Sequence, residues 1–146
     1  MAVKISKLPL VKRFYLLEPD PDGESYVEFR QARKGEQDKR DTLVNDMTWM
    51  FDETGGFGGL KQNKSRQEIH RLEVYTTLCG SNLEFDNGEE KDTEPVFKFK
   101  EDRGIPRLAM SEIEFTKAWD VLPPDLAEEI LKYCHEHNPQ WSQGES

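Results

Sequence analysis

The sequence is poor in cysteine and contains no long apolar run. Its two cysteines, Cys79 and Cys134, are too few for a disulfide framework, which favours a reducing compartment. No stretch reaches the roughly 18 apolar residues that a membrane span requires. Residues 1–10 also lack the continuous apolar segment of a secretory signal. The sequence therefore predicts a cytoplasmic protein that does not cross a membrane.

Positive charge is also scarce, since 20 basic residues stand against 29 acidic ones and the net charge is −9. This balance opposes binding to nucleic acid, because such binding depends on cations that contact phosphates. Only 35% of the 146 residues are hydrophobic, yet 8 Phe, 3 Trp and 4 Tyr supply anchors for a thin core. We therefore expect one folded domain that does not bind nucleic acid.

The first ordered feature that the sequence predicts is a β-hairpin. Residues 10–17 are rich in apolar side chains, and residues 26–30 alternate between apolar and polar. The segment 18–24 between them consists of Glu, Pro, Asp and Gly, the residue types of a turn.

The rest of the chain shows mainly helical patterns. Apolar residues at 43, 47, 50 and 51 follow one helical stripe, and a second stripe runs from Ile69 to Cys79 before Gly80. Between the stripes, four glycines in five residues predict a linker over 52–64. Residues 81–85 and 96–99, on either side of the acidic segment 86–94, are compatible with a second short strand pair.

Capping boxes predict where three helices begin. In this motif a Ser or Asp side chain and a Glu three residues later satisfy backbone donors of the first turn. The motif occurs at Ser65, Ser111 and Asp125. Pro139 ends the last of these helices.

These elements together predict an α+β fold, with an N-terminal β-hairpin followed by a mainly helical body. We expect a single domain over residues 1–141, which includes an N-terminal arm at 1–9 and the glycine-rich linker at 52–64. Residues 142–146 form a polar tail.

No constellation in the sequence indicates an enzyme, a metal site or a cofactor. The most metal-like segment is residues 134–137, Cys-His-Glu-His, but a zinc site needs a second ligand pair, and only His70 and Cys79 remain elsewhere. Residues 20–31 lack the spacing of a calcium loop, and 55–61 lack that of a phosphate-binding loop. We therefore expect no catalytic residues, no metal and no cofactor.

Several stretches occur in a recognisable order: residues 11–16, the acidic turn after them, 26–30, 35–36, 71–78, 81–83, 122–130 and 138–141. In this order they resemble the small tail assembly chaperones of long-tailed bacteriophages, which are encoded just before the tape measure protein. The last stretch has the family's Asn-Pro-x-Trp ending, whereas the glycine-rich linker and the segment 86–94 do not match the family.

The resemblance implies a non-enzymatic protein of the host cytoplasm. Such a protein binds the tape measure protein during tail assembly, recruits tail-tube subunits, and is absent from the finished particle. Self-association stays open. An acidic body that lends apolar surface would keep an aggregation-prone rod in solution.

We expect the partner surface on the C-terminal helices, where aromatic and aliphatic side chains follow helical stripes. The residues expected to form this exposed patch are Phe115, Trp119, Ile130, Tyr133 and Trp141. Core packing is the ordinary interpretation of such stripes.

Two alternatives remain open from the sequence. One is a structural tail or head–tail completion protein that is retained in the virion. The other is an acidic inhibitor that mimics nucleic acid, suggested by the charge of −9 and by the acidic segments 18–24 and 84–94.

Overall fold

The computed structural model describes residues 3–17, 23–54, 58–86, 88 and 93–141, with only the backbone of 46–54 and 58–65. Residues 3–10, which precede the first strand, are mostly exposed and have no regular structure. The strand β1 (Val11–Tyr15) pairs antiparallel with β2 (Tyr26–Arg30), which confirms the predicted hairpin. The turn residues 18–22 lie outside the described part of the chain.

Two long helices follow, α1 (Lys34–Thr54) and α2 (Gly58–Thr77), and they pack against each other. The predicted linker over 52–64 is therefore wrong for most of its length, and residues 55–57 lie outside the described part. Glycine costs a helix interior about 1 kcal/mol. Gly58 and Gly59 fall in the first turn of α2, where the backbone donors lack helical partners in any case.

The end of α2 differs from the prediction because a strand replaces the last predicted turn. Residues Leu78–Ser81 form β3, which pairs antiparallel with β2 and completes a sheet of order β1-β2-β3. Gly80 is thus a strand residue and not a helix stop. Its backbone lies directly against the side chain of Glu28 in β2.

Two short hairpins follow the sheet. The first, β4 (Glu84–Asp86) with β5 (Thr93–Pro95), confirms a second short strand pair. Its bounds differ from the prediction, because the second strand lies at 93–95 instead of 96–99. The second, β6 (Phe99–Asp102) with β7 (Ile105–Leu108), has no counterpart among the predicted elements. Its turn residues Arg103 and Gly104 both have positive φ, as a type I′ hairpin turn requires.

The chain continues into the helices α3 (Glu112–Asp120) and α4 (Pro124–His137) and a 3₁₀ turn at Pro139–Trp141. The predicted cap at Ser111 is confirmed, because its hydroxyl accepts a hydrogen bond from the Glu114 backbone N–H at 3.1 Å. The cap at Asp125 is wrong, since α4 begins at Pro124, a position that suits proline. The cap at Ser65 is also wrong, because α2 begins seven residues earlier.

The architecture is α+β with an N-terminal hairpin, as predicted. One buried cluster joins the hairpin, α2, the short strands, α3, α4 and the C-terminal turn. Its members are Phe14, Leu16, Val27, Phe29, Val74, Leu78, Val96, Phe97, Leu108, Phe115, Leu122, Leu126, Ile130, Cys134 and Trp141. The tail residues 142–146 lie outside the described part.

Replacing Gly80 with Ala should lower the free energy of unfolding by about 1–2 kcal/mol, because the new methyl group displaces the Glu28 side chain. Glu28 also pairs with Arg13 at 3.4 Å, and that contact would be lost. Urea denaturation measures the change. Gly35→Ala is the matched control, since nothing lies within 4 Å of its Cβ position in α1. Equal effects of the two substitutions would contradict the close approach.

Candidate functional site

The predicted partner surface on the C-terminal helices is largely part of the core. Phe115, Ile130 and Trp141 are at most 1% exposed, so the expectation of an exposed patch at these residues is wrong. The Phe115 ring stacks on Phe97 and on Trp119, with 5.8 Å between ring centroids in both cases. The helical stripes face inward because the sheet and the short hairpins supply apolar surface for them.

Trp141 is held by the residues around it. Its indole N–H donates to Gln37 of α1 at 2.6 Å, and its carbonyl accepts from Arg40 at 3.3 Å. Asn138, which is 1% exposed, accepts from the Ala32 backbone N–H at 2.9 Å and donates to the Arg30 carbonyl at 3.1 Å. The Asn-Pro-x-Trp ending therefore clamps the C-terminal turn onto the start of α1.

Tyr133 and Trp119 are half-buried. The Tyr133 ring stacks on Phe14 of β1 at 4.8 Å, and its hydroxyl donates to the Glu129 carboxylate at 2.9 Å. Burial and the Glu129 carboxylate raise the pKa of Tyr133 to about 12, so the phenol stays a donor at neutral pH. Of the five residues predicted to form the partner surface, these two retain exposed surface. They do not share a neighbour, because Tyr133 packs on Phe14 and Trp119 packs on Phe115.

The exposed apolar side chains lie elsewhere, in the segment that leads into β1. Of the large hydrophobic side chains that the structure describes as exposed, only Ile113 and Val121 lie outside residues 3–17. We call the others the N-terminal apolar surface: Val3, Ile5, Leu8, Leu10, Val11, Tyr15 and Leu17. Exposure reaches 87% at Val3 and Ile5.

The segment 3–17 also differs from the rest of the chain in charge. It contains three lysines and Arg13 but no acidic residue, in a protein of net charge −9. Arg13 is engaged by Glu28 and by the face of the Tyr26 ring at 3.8 Å. The side chains that accompany the apolar surface are therefore neutral or basic.

The metal-like segment 134–137 does not converge on one point. Cys134 is buried beside Thr77, and His137 contacts the Leu10 carbonyl at 2.9 Å. Glu136 is exposed, and His135 faces α2. The other thiol, Cys79, is also buried, and burial together with Glu28 raises its pKa to about 12. Cys79 is thus protonated at neutral pH and is a poor nucleophile.

Sequence reasoning missed a buried charged cluster around Glu73, whose side chain is completely buried. One carboxylate oxygen accepts from Arg40 Nε of α1 at 2.9 Å. The other lies 2.7 Å from His135 Nε2 of α4. His70, one turn before Glu73, places its ring 5.6 Å from that of His135. Only the i, i+3 spacing of His70 and Glu73 was visible in the sequence.

A cavity of about 340 Å³ lies between α1, α2 and α3. Its walls include Lys39 and Arg71 together with Glu68 and Glu112. Because both signs of charge line it, the cavity does not favour a ligand of either charge.

Comparisons with known proteins identify no relative of this chain. No protein-family model matches the chain, and searches of curated proteins and of solved structures find no match. None of the helices in the described part of the chain combines the length and hydropathy that a membrane span needs.

Replacing Arg40 with Met should lower the free energy of unfolding by about 3 kcal/mol, because Glu73 would keep a buried charge with one partner fewer. Urea denaturation at neutral pH measures this loss. The control is Lys34→Met, which removes a pair with Asp38 in which both side chains are more than half exposed. A loss for Arg40→Met no larger than that of the control would contradict the role of the buried pair.

The stability should also fall in acid because of Glu36. Burial raises the pKa of this carboxyl, but hydrogen bonds from Arg30 and from the Arg33 backbone N–H outweigh burial and hold the pKa below its usual value. A carboxyl whose pKa is lower in the folded than in the unfolded state stabilises the fold at pH values above its unfolded-state pKa. This contribution is lost as the pH falls through the folded-state pKa. Unfolding free energies measured from about pH 5 to about pH 3 should fall less steeply in Glu36→Gln than in the wild type.

Glu94→Gln, at an exposed position, controls for the change in net charge. An unchanged slope in Glu36→Gln would contradict the assignment of this acid sensitivity to the Arg30–Glu36 pair.

Proposed function

We propose that this chain is a non-enzymatic tail assembly chaperone of a long-tailed bacteriophage. It binds the tape measure protein in the host cytoplasm and recruits tail-tube subunits. The order of sequence stretches described above suggests the family. The observation of the structure that supports the proposal is the N-terminal apolar surface, because it offers apolar side chains that a partner can cover.

Apolar side chains left in water are costly, and monomeric proteins rarely carry many of them close together. Full burial of one large aliphatic side chain contributes about 1.5–3 kcal/mol. A partner that covers several members of the N-terminal apolar surface therefore gains substantial binding free energy. A long apolar rod such as the tape measure protein needs the same cover to stay in solution before the tail tube surrounds it.

The charge of the same segment restricts the partner. With basic residues and no acidic ones in residues 3–17, a contact surface that combines apolar and acidic side chains is favoured over a basic one. The tape measure segment bound here is therefore expected to be apolar with acidic flanks.

Replacing Ile5 and Leu10 together with Ser should abolish the binding of the tape measure protein, because both side chains are more than half exposed and contribute only when a partner covers them. The test is co-expression with the tape measure protein of the same phage, followed by pull-down and measurement of its soluble fraction. The wild-type chain should retain the rod in solution, and the double variant should not.

The control is the double variant Ile113→Ser and Val121→Ser, which removes two apolar side chains at the ends of α3 that are also more than half exposed. It should bind as the wild type does. Retention by the Ile5/Leu10 variant would refute the surface assignment. A stoichiometric amount of this protein in purified mature particles would refute the chaperone role and favour the structural alternative.

A further inference from the structure

The cluster of His70, Glu73 and His135 has an arrangement that the proposed function does not use. Each of the three residues offers one ligand atom, and these atoms lie within 4.8 Å of one another. His70 and Glu73 share one face of α2, while His135 reaches across from α4. The two imidazole rings are inclined at 70° to each other.

Two imidazoles and one carboxylate form a ligand set that zinc uses in sites with an open fourth position. Zinc bonds nitrogen and oxygen at about 2.0–2.2 Å, so its ligand atoms are about 3.4 Å apart. The present spacing, 2.7 Å between Glu73 and His135 and up to 4.8 Å within the cluster, lies on both sides of that value, so binding requires the imidazole side chains to adjust. We propose that His70, Glu73 and His135 bind one divalent transition-metal ion, with Zn²⁺ as the reference ion.

The surroundings of Glu73 suit this role. Arg40 holds one carboxylate oxygen at 2.9 Å and leaves the other directed at His135. Outer partners of this kind orient metal ligands and are part of many metal sites. His70 lines a cleft of about 290 Å³ together with Asp120 and Glu128. The cleft, whose lining also includes Arg71, gives the water that completes the coordination access to the cluster.

Metal binding replaces the hydrogen bond between His135 and Glu73. A neutral imidazole coordinates through its lone pair, so a proton on His135 Nε2 moves to Nδ1 when the ion arrives. If His135 is protonated on both nitrogens, one proton passes to water.

The test uses the full-length chain without a histidine tag, freed of metal by a chelator. Calorimetric titration with Zn²⁺ should show one ion per chain, and Co²⁺ should give visible absorption bands of tetrahedral coordination. His70→Ala should weaken Zn²⁺ binding at least about tenfold. This variant retains the contacts of Glu73 with Arg40 and His135, and circular dichroism checks its fold.

His137→Gln is the matched control, because it changes the third histidine of the chain, which contacts the Leu10 carbonyl instead of the cluster. It should bind Zn²⁺ as the wild type does. In the wild-type chain, the NMR signals of the His70 and His135 imidazoles should shift on addition of Zn²⁺, while those of His137 stay in place. This measurement decides the question even if His70→Ala does not fold.

The proposal is overturned if the wild-type chain shows no saturable Zn²⁺ binding, or if His70→Ala binds as tightly as the wild type. Both results leave the proposed binding of the tape measure protein untouched, since that function uses residues 3–17.

Discussion

The fold depends on a carboxylate that has no contact with solvent. Glu73 is completely buried, and a charge in such surroundings persists only where polar partners replace its lost water. Arg40 of α1 and His135 of α4 are those partners. One side chain of α2 therefore determines how two other helices can lie against it. Arg40 also donates a hydrogen bond to the Trp141 carbonyl, so the position of the C-terminal turn depends on the same arginine.

A second buried charge joins the sheet to the helices. Arg30 of β2 donates to both carboxylate oxygens of Glu36, at 2.7 and 2.6 Å, and to the Thr76 carbonyl at 2.6 Å. Apolar contacts are non-directional, and a chain that is only 35% hydrophobic forms few of them. Charged hydrogen bonds act only at restricted distances and angles. They therefore fix the orientation of the sheet relative to the helices, which a thin apolar core would not fix by itself.

Signals that act within a few residues predict much of this fold. The Pro/Asp/Gly segment between alternating runs predicts the β1–β2 hairpin, and Ser111 predicts the start of α3. Pairings between distant segments carry no such signal. Helical spacing continues to Cys79, yet pairing with β2 turns residues 78–81 into a strand. The cluster around Glu73 escaped prediction for the same reason, since 62 residues separate Glu73 from His135.

The exposed apolar residues show the same limit. Composition indicates how much apolar surface a chain carries, whereas tertiary packing decides which part stays exposed. The core takes up the rings of Phe115 and Trp141, while the residues before and within β1 retain their exposure. Within the described sheet, β1 has a neighbour strand on one side only. On its other side α4 already bonds part of the edge, since the Tyr133 hydroxyl donates to the Tyr15 carbonyl at 3.2 Å and Glu129 accepts from the Leu17 N–H at 2.9 Å. The exposed apolar side chains of this segment, more than its backbone edge, therefore support the proposed binding of a partner.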